Sequence, residues 1–61
     1  MAKLTTKELT ALDESLNQEQ VIIKKYHTMA GQCGDTKLKS QLESIATRHQ
    51  KHYNTLISHL K

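Results

Sequence analysis

Glu19, His49 and His52 are the residues of this 61-residue chain whose types could do chemistry together. One carboxylate and two imidazoles are a workable ligand set for a transition metal, since imidazole suits zinc, nickel or copper better than calcium or magnesium. The same groups can instead form a hydrogen-bonded polar layer, which fixes the register of packed helices at some cost in stability. At about 100° per residue, Glu19 and His49 fall near the middle of apolar helical stripes, where leucine is the default. Tyr53, next to His52, is placed to join such a layer through its hydroxyl. Two alternatives therefore stand side by side. Glu19, His49 and His52 are metal ligands for zinc, iron or another transition metal, or they form a buried polar network with Tyr53.

The elements that must position these groups are helices. The chain has no proline, two glycines and two aromatic residues, so it lacks the punctuation and the alternation of a sheet protein. Thr5 followed by Glu8 is a capping box, and Leu4 and Leu9 fall at the staple positions around it. From there Leu9, Leu12, Leu16, Glu19, Ile23, Tyr26 and Ala30 recur at spacings of three and four, the seam of helices packed at a shallow angle. Ile22 and Met29 widen that stripe, and Val21 points away from it. Gly31 and Gly34 are expected to end the helix in left-handed geometry, with Asp35 capping the next. The second helix carries Leu38, Leu42, Ile45, Ala46, His49, His52, Tyr53, Leu56, Ile57 and Leu60 on its inner side. The reading is one domain, 1–61, with a helix over about 6–31, a turn over about 31–35 and a helix over about 36–60.

So short a connection forces the second helix to run back antiparallel. Residues equally distant from a turn centred near 33 and 34 then lie at the same height, because both helices rise equally per residue. That registration pairs Glu19 with His49 and Leu16 with His52. His49 and His52 are surface neighbours three residues apart, so both can converge on the carboxylate of the facing helix. A chain this small rarely builds a sufficient core alone, and its wide apolar stripes leave one side of each helix uncovered. The expected architecture is an all-α antiparallel helical hairpin that forms a homodimer, an antiparallel four-helix bundle.

The formal net charge is +3, but the basic residues are scattered without a block or a recognition-helix pattern, which argues against nucleic-acid binding. Cys33 is the one cysteine, so no intrachain disulfide forms and nothing calls for an oxidising compartment. The opening residues have no apolar leader core, and no stretch reaches bilayer-spanning length. The expectation is a cytoplasmic protein, not a secreted one. His27 and His59 read as boundary histidines. No nucleophile is placed beside a base and no glycine-rich phosphate loop exists, so no catalytic or cofactor-binding residue is named.

The segments Leu16-Asn-Gln-Glu19-Gln, Lys25-Tyr26-His, Asp35-Thr-Lys-Leu38 and His49-Gln-Lys-His52-Tyr-Asn-Thr-Leu56 resemble the short spore coat F-like, ferritin-like proteins of endospore-forming Firmicutes. The resemblance runs from about Leu4 to Leu60. It implies that the four-helix bundle is ferritin-like and the protein spore-associated, with a structural or assembly role among spore coat proteins or, alternatively, that it is a degenerate ferritin-like transition-metal protein, with or without redox activity. In the ferritin pattern one helix supplies a carboxylate and the other a Glu-x-x-His pair, and two such halves hold two metals. Here His49 stands where the glutamate belongs. A glutamate bridges two ions through its two oxygens, whereas a neutral imidazole offers one lone pair. Two divalent ions would also keep uncompensated positive charge in a low-dielectric core. No dinuclear ferroxidase-type centre is expected.

Overall fold

A computed structural model describes residues 4–60 of the chain. Residues 1–3, part of the stretch read for a leader, lie outside the described residues. Two helices, α1 (Thr6–Gln32) and α2 (Thr36–Ser58), run antiparallel as a hairpin, and no strand occurs among the described residues. No described helix is long and apolar enough to cross a membrane.

The start of α1 follows from local chemistry. The Glu8 N–H donates to Thr5 Oγ1 at 3.1 Å, and the Thr5 N–H donates to Glu8 Oε1 at 2.9 Å. Two amides with no partner inside the helix are thereby satisfied reciprocally. The start of α2 is held by a one-way cap from Asp35, whose Oδ1 accepts from the Leu38 N–H at 3.0 Å.

The connection differs from its expectation. Neither glycine has a positive φ. The chain leaves α1 through Cys33 in extended geometry, φ −85° and ψ 125°, with its N–H bonded to the Ala30 carbonyl. Asp35, also extended, then starts α2 directly. A reversal made from extended residues has no use for a left-handed glycine. α2 ends at Ser58, short of the expected 60, because His59 and Leu60 continue in tighter turns, their N–H groups bonding Leu56 and Ile57 carbonyls at 3.1 and 2.9 Å. Such a three-residue closure is common where a helix end frays.

The core between the helices is thin. Leu16, Ala30, Leu42 and Ala46 are the buried apolar residues among those described, Ala46 completely so. Two of the four are alanines, which lets the backbones approach but buries little apolar area. Leu9 and Leu38, expected on the inner seam, remain 42% and 46% exposed. A pair of helices is a single layer and encloses only the line along which they touch. Flanking leucines and isoleucines are left half-covered.

Candidate functional site

Glu19 on α1 faces His49 and His52 on α2, as the hairpin registration requires. His49 Nδ1 lies 3.1 Å from both carboxylate oxygens of Glu19. With its proton on Nδ1, the imidazole donates to the two oxygens together. His52 Nδ1 lies 3.6 Å from Glu19 Oε2, and the two imidazole rings stand edge to face with centroids 5.4 Å apart. One ligand atom from each of the three residues falls within 4.8 Å of the others, and no other such group of three occurs among the described residues.

Burial is graded across the cluster. The Glu19 and His49 side chains keep 14% and 25% of their exposure, while His52 keeps 59%. The expected buried network is therefore half-buried in one chain, and its third member sits at the rim. The cause is helical geometry: residues three apart point about 60° apart around the axis, so only one of the two histidines can be centred on α1. Packing of Ala46 and Leu42 against α1 turns His49 inward and leaves His52 at the edge.

Tyr53 departs further from expectation. Its hydroxyl accepts from Gln20 Nε2 at 3.0 Å, on the opposite edge of the helix pair, and it makes no hydrogen bond to the cluster. Gln20 was not singled out from the sequence. Its one signal is its position just after Glu19, on the polar flank of the stripe. On the open edge, a groove of about 350 Å³ runs beside the cluster, lined by Ser15, Gln18, Glu19, His52, Thr55 and Leu56. Ser15, Gln18 and Thr55 carried no sequence signal beyond lying within four residues of Glu19 or His52.

The other titratable candidates stay apart. His27 is exposed, and His59 caps the end of α2. Cys33 is half-buried in the connection, where its thiol donates to the Asp35 carbonyl at 3.5 Å. The donor set does not fit a dinuclear centre. It holds one carboxylate to two neutral imidazoles, too little negative charge to offset two divalent ions.

The fold and site thus define an all-α helical hairpin with a Glu-His-His cluster at one edge of its helix pair. Over 58 residues the chain is 36% identical to a Bacillus subtilis (strain 168) protein called "Uncharacterized protein YuzM", with 95% of this chain and 72% of that protein covered. The chain belongs to the family of YuzM. No family model matches it, and no solved structure does.

Proposed function

We propose that the protein is a structural and assembly module that works as a homodimer, two hairpins closing into an antiparallel four-helix bundle. The observation that carries this reading is the distribution of apolar surface. Along the open edge Ile22 and Met29 stand seven residues apart on α1, in line with Ser15, and Leu38 and Ile45 do so on α2, in line with His52. Seven-residue recurrence marks one face of a helix packed at a shallow angle. None of these residues is buried within one chain. The accessible surface of the chain, 4881 Å², exceeds the about 4,000 Å² usual for a compact monomer of this mass.

A second copy docked by a two-fold axis on this edge covers both heptad faces and brings two Glu-His-His clusters into one central layer. In that setting the layer fixes register, since a slip of either helix strands a polar group in the apolar seam. The assembly role itself, with other spore coat proteins as partners, draws on the spore coat F-like resemblance of the sequence.

Analytical ultracentrifugation of the tag-free chain at micromolar concentration tests the architecture. The expected species has twice the 7.0 kDa chain mass. A helical monomer at that concentration overturns the reading.

A further inference from the structure

We propose that Glu19, His49 and His52 of one chain bind a single divalent transition-metal ion of the zinc class, through one carboxylate oxygen and the two Nδ1 atoms, with a fourth position open to the groove. The site lies within one hairpin, so it does not depend on the dimer.

Geometry carries the inference. A tetrahedral ion with bonds of about 2.0–2.1 Å sets its donor atoms about 3.3–3.4 Å apart. The two nitrogen-to-oxygen edges already measure 3.1 and 3.6 Å, one on either side of that value. All three ligand atoms lie within 4.8 Å of one another, so closing the imidazole-to-imidazole edge takes a side-chain shift of up to about 1.5 Å. His52 is exposed and free to make the larger shift, while Glu19 and His49 are held between the helices. Ligands that are rigid on one side and mobile on the other suit a site that loads from solvent.

The chemistry of the set selects the ion. Two neutral imidazoles and one carboxylate favour zinc, nickel or copper over calcium and magnesium, which require more oxygen donors. One carboxylate offsets half the charge of one divalent ion, and a second ion would double that charge with no further carboxylate to meet it. The vacant side of the cluster faces the groove beside Ser15, Gln18 and Thr55, whose polar side chains can hold a bound water in the fourth position. Three protein ligands with one open position is the arrangement of zinc sites that exchange a ligand.

Isothermal titration of the tag-free full chain with zinc chloride tests the proposal, with cobalt absorption as a reporter of tetrahedral geometry. One ion per chain is expected, with no displacement by excess magnesium. His52→Ala should weaken binding by at least about tenfold, a loss at or above that of removing an outer-shell partner. Because His52 is exposed within one hairpin, circular dichroism of this variant should match the wild type, and its zinc affinity is compared with the wild type at a concentration where sedimentation shows both in the same assembly state. His27→Ala and His59→Ala should bind as the wild type does. Three results overturn the proposal: no zinc binding at micromolar concentration, unchanged affinity in His52→Ala, or one ion per two chains. A chain that sediments as a monomer yet binds one zinc overturns the proposed assembly alone. A dimer that binds none overturns the metal site alone.

Discussion

At the height of Glu19 the two edges of the helix pair are built from opposite materials. On one edge Gln20 donates to the Tyr53 hydroxyl, and two long side chains bridge α1 and α2. On the other, Glu19 and His52 stand 3.6 Å apart beside an open groove, and Ile22 and Met29 on α1 and Ile45 and Leu38 on α2 follow at heptad spacing toward the connection. A polar bridge that meets its own hydrogen-bonding needs is finished when it faces water. An apolar edge is not, because water ordered against it is released only when something covers it. In the proposed dimer the Gln20–Tyr53 edge is the outer surface and the Glu19–His52 edge the inner one.

The largest effect expected from this difference comes from charging the open edge. Met29→Lys with Leu38→Lys changes two side chains that are 40% and 46% exposed in one chain, so an isolated hairpin should lose little. The proposed dimer would bury both ammonium groups, and dissociation with loss of most far-ultraviolet helicity at micromolar concentration is expected. A variant that stays dimeric and helical would move the docking face elsewhere.

A smaller effect is expected on the closed edge. Tyr53→Phe removes the bond from Gln20, whose amide can turn to water, and should cost about 0.5–1.5 kcal/mol in urea unfolding. The dimer mass should not change. If this substitution dissociates the protein while the lysine pair does not, the two edges have been assigned in reverse.

The smallest effect concerns the end of the open edge, where Glu8 lines a second groove with Leu4, Ala11, Leu12 and Leu56. Bonds from the Thr5 backbone N–H, and secondarily from its side chain, hold the Glu8 carboxyl below its ordinary range. A carboxyl lowered in the folded state stabilises it above the unfolded value and loses that contribution as pH falls through the folded one. Melting temperature should therefore decline faster on acidification for the wild type than for Glu8→Gln, whose side chain has no charge to lose. Parallel curves would remove the capping carboxylate from any part in stability.

Much of this arrangement is readable without coordinates. The Thr5 and Glu8 box, the Asp35 cap and the short connection are local, and each depends on a few adjacent residues meeting their own amides. The facing of Glu19 and His49 follows too, since equal rise along two antiparallel helices converts distance from the turn into height. What the sequence leaves undetermined is rotation about each helix axis. A stripe containing Leu38, Leu42, Ala46, His49, His52 and Tyr53 spans about a third of the circumference of α2, and any of these can face α1 at the expense of others. The close approach at Ala46 decides it, turning His49 inward, His52 to the open rim and Tyr53 to Gln20 on the far edge. The glycines were misread for a related reason: a reversal can be made by left-handed or by extended residues, and only the relative placement of the two helices selects between them. The sequence by itself determined the helices, the hairpin and the pairing of a carboxylate with imidazoles. Tertiary packing alone decided which edge carries them and how far each is covered, because burial depends on the angle at which two surfaces meet.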